Sequence, residues 1–496
     1  MPTIFSALLS AHGALPAPAR PPGVPERVPE FSRHLVSERV ASPPITPRPG
    51  ASVIVVGAGL AGLAAAHELA HAGYDVSVIE AQNKIAGRVE SLYDVVPGKV
   101  VEGGGELIGD NHHAWITYAA KFGLSFTPVH DGENAPVILR GRRLRKKTAA
   151  HLLQEMDEVF NEMARLASQI QDPYRPWRSG AAAQFDARSL DSWVRSRNTT
   201  DLCKYAVKLQ FATDNGVAAG RQSLLGVLAM IAGGGGKEYF TETERHRCKG
   251  GNQQLAQKLA QPIAGVFHLG LRVRGIRNSE DGSGMAVEAL DPDNRKVQFT
   301  ARDVILAIPP SVWGEIDFGD LLPIGPKPQM GKNVKCLMSF KTEFWKRSGL
   351  SPNLTSDRPL ELTWQSTEEQ QGPGHALAAF SGAEQAVECM RWQPEERTAA
   401  YVRELSRAYP GARQALVDAR FKNWPDNPFV RASYAFPAPG EISRWGPVFE
   451  QGVGHLHFAG EHTCYAFVGY MEGALQSGIR ACNRLMVRDG LAHSIS

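Results

Sequence analysis

Short apolar runs and longer segments with helical spacing alternate along the chain from residue 52 onward. Residues 52–56 form an apolar run rich in β-branched side chains, which predicts a buried strand. Small and apolar residues at 60–72 predict a helix, and residues 75–79 predict a second strand that ends on Glu80. A strand, a helix and a second strand in this order are typical of an α/β domain.

Glycines occupy the turn between the first strand and the helix at the spacing G-x-G-x-x-G. Gly57 permits a tight turn, Gly59 lets the backbone approach a pyrophosphate, and Gly62 lets the helix pack on the sheet. The pyrophosphate would lie at the positive N-terminus of the helix, and Glu80 would accept hydrogen bonds from a ribose. These features predict a Rossmann-like dinucleotide site without distinguishing NAD from FAD.

The same two patterns continue toward the C-terminus. Residues 130–235 are largely helical in pattern, and apolar runs of strand length follow them. The predicted helices lie at 115–122, 152–163 and 223–231, and the predicted strands lie at 266–269, 271–273, 303–308 and 333–340.

Composition limits the class of protein. The 496 residues exceed one typical core, so two or three domains are expected. The apolar share of 43% and the charged share of 21% are ordinary for a globular protein, and a net charge of +3 favours neither nucleic acid nor an anionic membrane surface. No apolar run reaches the length of a membrane span.

Residues 1–49 are rich in proline, which predicts an extended tail. No basic segment precedes the apolar stretch at 4–9, so a secretory signal is not expected. The six cysteines are scattered without a C-x-x-C pair, which indicates neither a zinc site nor a disulfide framework. These features favour a reducing, cytoplasmic location.

Paired histidines are the metal-ligand candidates of the chain. His112 and His113 are adjacent, but no carboxylates accompany them at ligand spacing. His455 and His457 alternate along a predicted strand and therefore share one face, where a structural role is expected. We therefore predict no metal site.

Several motifs resemble those of the flavin-dependent amine oxidase superfamily, which includes monoamine, polyamine and L-amino acid oxidases. They are the glycine turn with Glu80, the pair Gly87-Arg88, the glycine-rich loop at 103–105, the F-A-G-E turn at 458–461 and the segment 469–474. The resemblance implies an α/β fold in which a Rossmann-like FAD-binding domain of the glutathione-reductase type joins an α+β substrate-binding domain. It also implies FAD as the cofactor.

The resemblance implies FAD contacts along most of the chain. In the superfamily, the helix that starts near residue 471 would stabilise negative charge on the reduced flavin. The residues assigned to FAD are Gly57, Gly59, Leu60, Ala61, Gly62, Glu80, Ala81, Gly87, Arg88, Gly104, Gly105, Glu106, Leu107, Val273, Gly460, Glu461, Gly469, Tyr470 and Met471.

Both implied domains are discontinuous in the sequence. We also expect the protein to form a homodimer. The implied boundaries are a tail at 1–49, an FAD-binding domain at 50–130, 239–312 and 445–496, and a substrate domain at 131–238 and 313–444.

The resemblance also implies catalytic residues. Lys335 matches the lysine that the superfamily carries on a strand of its active site, where it would assist the reaction with oxygen. Tyr434 and Tyr470 would form aromatic walls beside the flavin. Ser433 stands where monoamine oxidases attach FAD through a cysteine, which implies non-covalent FAD, and Cys464 is not expected to replace it.

The loop E-G-G-G-E-L-I-G and the element R-C-x-G-G-N-Q-Q-L are most similar to microbial L-amino acid oxidases. This similarity implies that O2 and water convert an L-amino acid to a 2-oxo acid, ammonia and hydrogen peroxide. The substrate carboxylate would then need a cation, and Arg431 is a candidate by its position in the chain.

Two other interpretations remain open. A primary amine or polyamine oxidase would release an aldehyde instead of a 2-oxo acid, and Glu106, Glu242 or Glu244 would bind a distal ammonium. An FAD-binding scaffold without turnover is the third interpretation. Retention of Lys335 and both tyrosines argues against the scaffold.

Overall fold

The computed structural model describes residues 3–11, 50–130, 132–322 and 325–491. Two main sheets organise these residues, a parallel sheet of five strands and a mixed sheet of seven strands. The strands in chain order are β1 Ser52–Val56, β2 Asp75–Glu80, β3 Ser91–Leu92, β4 Val101–Glu102, β5 Phe126–Pro128, β6 Val137–Leu139, β7 Arg142–Arg143, β8 His246–Cys248, β9 Phe267–Leu269, β10 Arg272–Asn278, β11 Met285–Leu290, β12 Lys296–Ala301, β13 Asp303–Leu306, β14 Asn333–Phe340, β15 Thr355–Ser356, β16 Leu362–Gln365, β17 His375–Gly382, β18 Leu416–Lys422 and β19 Leu456–Phe458.

Apart from the N-terminal helix, the helices lie in three groups: on the parallel sheet, in the first insert (131–238) and in the second insert (313–444). Those of the described residues, in chain order, are α1 Ile4–Ala11, α2 Leu60–His71, α3 His113–Phe122, α4 Lys146–Ala167, α5 Ala182–Asp186, α6 Leu190–Arg195, α7 Asp201–Asn215, α8 Leu224–Gly233, α9 Tyr239–Glu242, α10 Gln253–Ala260, α11 Phe344–Arg347, α12 Ala383–Arg391, α13 Pro394–Ala408, α14 Ala412–Ala415, α15 Glu441–Gln451 and α16 Met471–Arg488.

The parallel sheet has the strand order β19-β13-β1-β2-β9 and joins distant parts of the chain. All four of its pairings are parallel, and β1 and β13 are buried almost throughout. Burial on both faces explains why these strands are continuous apolar runs rather than alternating ones. The predicted α/β class is confirmed, and the predicted strands at 52–56 and 75–79 are present.

Helices α2 and α16 cover one face of the parallel sheet and touch each other closely. A Cβ atom at Gly478 of α16 would lie 2.2 Å from the carbonyl oxygen of Ala61 in α2. Only glycine permits this approach, because the backbones of the two helices are in contact there. The close contact brings the N-terminal turn of α2 against the middle of α16, although the two helices are far apart in the sequence.

The seven-stranded sheet has the order β18-β14-β17-β16-β15-β6-β7. Its centre is antiparallel, and β14 pairs with both β17 and β18, so that Lys335 lies opposite Phe380 and Lys422. Strands β6 and β7 come from the first insert and the rest from the second. Both inserts therefore build one sheet, although the exact domain boundaries stay a prediction.

The N-terminal helix α1 corrects the interpretation of residues 1–49 as an extended tail. Ile4, Phe5 and Leu8 are buried against the helices of the first insert. The Phe5 ring packs edge-on against Phe160 of α4 at 5.0 Å, and the Phe5 amide donates to Gln210 of α7 at 3.1 Å. An apolar helix face gains more from burial than an extended chain would. The proline-rich residues 12–49 lie outside the described residues.

Candidate active site

A cavity lies between the carboxyl ends of the parallel strands and the seven-stranded sheet. Its walls include Gly57 after β1, Glu80 at the end of β2 and Gly460 after β19. On the opposite side, Lys335 of β14 and Trp364 of β16 complete the wall. Carboxyl ends of parallel strands are where open α/β sheets bind their ligands, so this cavity is the candidate active site.

The glycine turn after β1 forms one end of the cavity. Gly57 has φ of +104°, a conformation that side-chain-bearing residues rarely adopt. A Cβ atom at Gly62 would lie 1.9 Å from the Gly57 carbonyl oxygen, so Gly62 serves the packing of helix on turn. Gly62 accordingly does not line the cavity, whereas Gly57 and Gly59 do.

Glu80 is oriented by two backbone amides at the end of β2. Its carboxylate oxygens accept hydrogen bonds from the amides of Ala58 and Gln82, each at 2.8 Å. Burial raises the pKa of Glu80 above its usual value, while these amides favour the charged form. Each oxygen retains a further lone pair that can accept from a ribose hydroxyl.

An ion pair joins Arg88 to Glu461 in the cavity wall. Arg88 Nη1 donates to Glu461 Oε1 at 2.9 Å and to the Ser433 carbonyl at 2.7 Å. Glu461 in turn accepts from the amide of Gly469 at 3.0 Å. These contacts connect three segments that are far apart in sequence, around Arg88, Ser433 and Glu461, and they fix the segment that carries Tyr434.

Tyrosines line the other end of the cavity. The Tyr434 hydroxyl donates to the main-chain carbonyl of Asp214 at 2.5 Å. Tyr470 lies at the N-terminus of α16 and, like Tyr434, lines the cavity. Burial raises the pKa values of both phenols well above the usual range, so both rings are neutral.

Lys335 projects from β14 into the cavity wall and is mostly buried, with 11% of its side chain exposed. Its ammonium donates to Glu106 Oε2 and to the Gly104 carbonyl, both at 2.8 Å. The ammonium also lies 5.5 Å from the centre of the Trp364 ring. The glycine-rich loop and β14 are therefore joined by a buried ion pair.

Most of the chain matches one family of known proteins. Residues 60–486 match the family described as flavin containing amine oxidoreductase. The chain belongs to this family.

Individual relatives agree with the family. A flavin-containing amine oxidase of Danio rerio is 27% identical over 470 residues, covering 89% of this chain and 87% of that protein. A putrescine oxidase solved with putrescine bound superposes with a TM-score of 0.78 at 26% identity, covering 88% of this chain and 99% of that one. Cyclohexylamine oxidase from Brevibacterium oxydans has the same fold, with a TM-score of 0.78 at 23% identity and coverage of 89% and 100%.

These comparisons confirm the predicted superfamily and show that this amine oxidoreductase is a flavoenzyme that acts on amines. They also confirm FAD as the cofactor. The relatives named here are amine oxidases, and none is an L-amino acid oxidase. The comparisons therefore favour the alternative interpretation over the primary one.

The residues that line the cavity are suited to bind FAD. Apart from its chain neighbours, a Cβ atom added at Gly59 would have only the Gly87 Cα within 4 Å, at 4.0 Å, so the bare backbone leaves space for a pyrophosphate. A Cβ atom at Gly104 would instead lie 1.9 Å from the Arg88 carbonyl oxygen, so Gly104 lets the glycine-rich loop pack on the segment of Arg88. All the residues assigned to FAD from the sequence line this cavity except Gly62. They are Gly57, Gly59, Leu60, Ala61, Glu80, Ala81, Gly87, Arg88, Gly104, Gly105, Glu106, Leu107, Val273, Gly460, Glu461, Gly469, Tyr470 and Met471.

The cysteines agree with non-covalent FAD. All six lie in the described part of the chain, and none of them lines the cavity. Cys464 is fully buried, and burial raises the pKa of its thiol to about 11. A thiol in this state is a poor nucleophile toward the flavin.

Arg431 and Glu242 are not in the cavity wall, which corrects two of the substrate-binding candidates. The Arg431 side chain is 50% exposed and pairs with Glu315. Glu242 lies at the end of α9 and pairs with Arg245 at 3.5 Å. Position along the chain had suggested both residues, but the turns that carry them direct their side chains elsewhere.

Glu106 is in the cavity wall, but its carboxylate is already engaged by protein groups. Oε2 pairs with Lys335, and Oε1 accepts from Arg247 Nε and from Trp364 Nε1, each at 2.8 Å. Burial alone would raise the pKa of Glu106, but the two cations hold it at about 2. Glu106 is therefore a buried partner of Lys335 rather than a receptor for a substrate ammonium.

Asp214 and Glu244 are the acidic residues at the tyrosine end of the cavity. Only Glu244 was a candidate from the sequence. Asp214 lies in the last turn of α7, where the helix dipole disfavours an acid. That unfavourable placement was the one signal in the sequence that could have indicated a functional residue.

Among the described residues, the histidines indicate no metal site and the apolar helices indicate no membrane span. His455 and His457 both contact the Asp303 carboxylate, at 3.2 and 3.1 Å. In the described ranges, no group of three or more histidine, cysteine or acidic residues is arranged to hold a metal ion. None of the helices described is both long and apolar enough to cross a membrane.

Proposed function

We propose that this enzyme oxidises a primary amine that carries a second cationic group, such as an α,ω-diamine. Water and O2 convert R-CH2-NH2 to the aldehyde R-CHO, ammonia and hydrogen peroxide. FAD, when bound, accepts two electrons from the amine and passes them to O2. The protein supplies the cavity that orients the amine and excludes water from it.

The observation that carries this proposal is the acidic pair at the tyrosine end of the cavity. Asp214 Oδ1 is buried without a hydrogen-bond partner in the structure. Burial raises the pKa of Asp214, and the nearby Glu244 carboxylate raises it further. A substrate ammonium placed there would relieve both effects, because it supplies a hydrogen-bond donor and a compensating charge.

The tyrosine rings suit the same ligand. Tyr239 is buried, Tyr434 and Tyr470 are half-buried, and the environments of all three include the Asp214 and Glu244 carboxylates. An apolar aromatic wall favours the neutral form of the reacting amine, as burial does for a lysine. An acidic group beyond that wall would hold the distal ammonium in its charged form.

A substrate carboxylate has no corresponding partner in the described part of the cavity wall. Three of its basic residues are paired with acids: Arg88 with Glu461, Arg274 with Glu315 and Lys335 with Glu106. The fourth, Arg272, contacts only the neutral Asn294 side chain at 3.2 Å and follows Leu271, whose amide donates to the Glu80 carbonyl at the opposite end of the cavity. Burying an α-carboxylate beside two acids without a free cation would be costly. The similarity to a putrescine oxidase supports the same assignment.

A matched set of three substrates tests the proposal in a peroxide-coupled assay. Putrescine carries two ammonium groups, butylamine carries one, and ornithine adds a carboxylate to the diamine. We expect kcat/KM for putrescine to exceed that for butylamine by roughly 10- to 200-fold, the worth of a hydrogen bond to a charged group. Ornithine oxidised faster than putrescine would restore the L-amino acid oxidase interpretation.

Asp214→Asn separates recognition of the distal ammonium from the oxidation chemistry. We expect this variant to raise KM for putrescine and to leave kinetics with butylamine nearly unchanged. Glu450→Gln, at a surface ion pair with Arg178, is the control for loss of a carboxylate elsewhere. Equal losses for both amines would contradict a role for Asp214 in distal recognition.

A further inference from the structure

The buried ion pair between Lys335 and Glu106 continues into a longer network. Arg247 Nη1 contacts Glu368 Oε2 at 3.2 Å, and Arg247 Nη2 donates to the Gln365 carbonyl at 2.9 Å. The exposed fractions are 3% for the Glu106 side chain and 8% for that of Arg247. Four charged side chains thus alternate in a buried row that starts at the cavity wall.

Burying four charged side chains carries a large desolvation cost, and the ion pairs that form add little net stability. Buried ion pairs often stabilise a protein no more than apolar side chains of similar volume would. Only Lys335 and Glu106, at one end of the row, line the cavity, whereas Arg247 and Glu368 lie behind them. We therefore interpret the network as a support for the cavity wall rather than as a source of stability.

The geometry of Lys335 shows what is being supported. Its ammonium donates to Glu106 Oε2, to the Gly104 carbonyl and, at 3.4 Å, to the Glu102 carbonyl. The two carbonyls belong to the backbone, so Glu106 is the anion that compensates the lysine charge. Glu102 does not share this task, because burial raises the pKa of its carboxyl to about 8.

The geometry of Glu106 shows how the support is held in place. Arg247 and the Trp364 indole both donate to Oε1, which leaves Oε2 directed at Lys335. Glu106 follows the glycine-rich loop, Lys335 lies on β14, and Arg247 lies on β8. Contacts from three separate elements therefore fix the position of the Lys335 ammonium.

We propose that Glu106 is a positioning residue that fixes the Lys335 ammonium at the cavity wall, and that Arg247 and Trp364 fix Glu106. This inference does not depend on the substrate proposed above. Lys335 is the group expected to assist the reaction of reduced enzyme with O2, and Glu106 acts on that reaction through Lys335. Without Glu106, the Lys335 ammonium would lose the anion that compensates it, while Arg247 would keep Glu368.

A double-mutant cycle tests this dependence. We compare Glu106→Gln, Lys335→Met and the double variant, each loaded with FAD, reduced with dithionite under nitrogen and mixed with O2. Reduction by dithionite makes the rate independent of which amine is the substrate. We expect Glu106→Gln to slow the reaction with O2 by roughly 10-fold, a size typical of coupling between contacting residues. In the Lys335→Met background, the same change should alter the rate less than about 2-fold.

Chemical labelling gives a second readout that needs no turnover. Acetylation of the Lys335 amine by acetic anhydride in the apoenzyme is quantified by mass spectrometry of the peptide that contains it. We expect labelling to be several-fold faster in Glu106→Gln, because the amine is no longer held in its buried position.

Glu90→Gln is the matched control. Glu90 pairs with Lys422, which lies opposite Lys335 on the neighbouring strand, and Glu90 does not line the cavity. This control should leave both the reaction with O2 and Lys335 labelling unchanged. If Glu106→Gln does not fold, Trp364→Phe removes one donor to Glu106 and should give a smaller change that again requires Lys335.

Three results would overturn the proposal. One is an equal slowing by Glu106→Gln in the presence and absence of Lys335, which would mean that Glu106 acts independently. Another is an unchanged oxygen reaction in Lys335→Met. The third is a Glu90→Gln enzyme that behaves like Glu106→Gln, which would indicate a general response to a lost carboxylate.

Discussion

The two ends of the cavity are built in different ways. The cofactor end consists of backbone and glycines, such as Gly57 and Gly104, within short contiguous motifs. The tyrosine end consists of side chains from separate elements, among them Asp214 from α7, Glu244 before β8 and Tyr434 after β18. One end therefore depends on the path of the main chain, and the other on how elements pack.

This difference indicates which residues of the cavity can be exchanged without a change in the path of the main chain. Backbone amides and bare glycines serve the constant groups of FAD, so a change of residue there is a change of shape. Side chains at the tyrosine end can be exchanged while the strands and helices stay in place. Substrate preference should therefore follow the side chains at the tyrosine end, and FAD retention should follow the glycines.

The largest effect should come from Gly62→Ala at the cofactor end. The new Cβ atom would overlap the Gly57 carbonyl, which lies 1.9 Å away, and neither backbone can move without displacing β1 or α2. We expect a loss of stability of about 3 kcal/mol or more and loss of bound FAD. Urea unfolding and flavin absorbance check this result.

Gly180→Ala is the control for this glycine change, since no atom lies within 4 Å of its added methyl group. It should leave stability and flavin content unchanged. Normal FAD retention in Gly62→Ala would show that the turn is more plastic than the geometry indicates.

The next largest effect should come from Phe5→Ala in α1, which packs on the helices of the first insert. The buried ring packs against Phe160 at 5.0 Å and lies 6.5 Å from Phe240. We expect a loss of about 3 kcal/mol of stability with full FAD content, because neither Phe5 nor the two rings that it contacts line the active-site cavity. Leu9→Ala, which removes a half-buried side chain from the same helix, should cost less.

Calorimetry with parallel flavin measurement checks the Phe5 prediction. A Phe5→Ala enzyme that loses FAD as readily as it loses stability would contradict the independence of the two regions.

A smaller effect should separate Glu244→Gln from Glu242→Gln, which lie two residues apart. Glu244 lines the tyrosine end of the cavity, and Glu242 does not. We expect kcat/KM for putrescine to fall about 10-fold in Glu244→Gln, as one charged hydrogen bond weakens, and to stay unchanged in Glu242→Gln. Butylamine should be oxidised equally by both variants. The opposite ranking would mean that the loop before β8 adopts another path when substrate is bound.

The smallest effect should come from Arg431→Ala. The arginine is half exposed and pairs with Glu315, which also contacts Arg274 at 2.8 Å. Exposed ion pairs contribute about 1 kcal/mol or less, so we expect little change in stability and less than about 2-fold in kcat/KM. A selective loss of activity toward ornithine would show that Arg431 reaches a substrate carboxylate.

Most of the cofactor end could be predicted from the sequence. The turn at 57–62, the acid at Glu80 and the strand at 333–340 were all located correctly, because each is specified by residues close together in the chain. Phe5 shows the limit of this reasoning. A short apolar stretch before a proline-rich segment carries no sign of the groove in which it packs.

The sequence by itself determined that strand, glycine turn and helix would form a dinucleotide site, since φ values and helix polarity are local properties of the chain. Only the tertiary structure decided which charges meet. Lys335, Glu106 and Arg247 lie on separate elements. The register of β14 and the path of the glycine-rich loop bring Lys335 and Arg247 each to 2.8 Å from the Glu106 carboxylate. Asp214 faces the cavity for the same reason, because helix packing, unlike a turn, depends on partners that are distant along the chain.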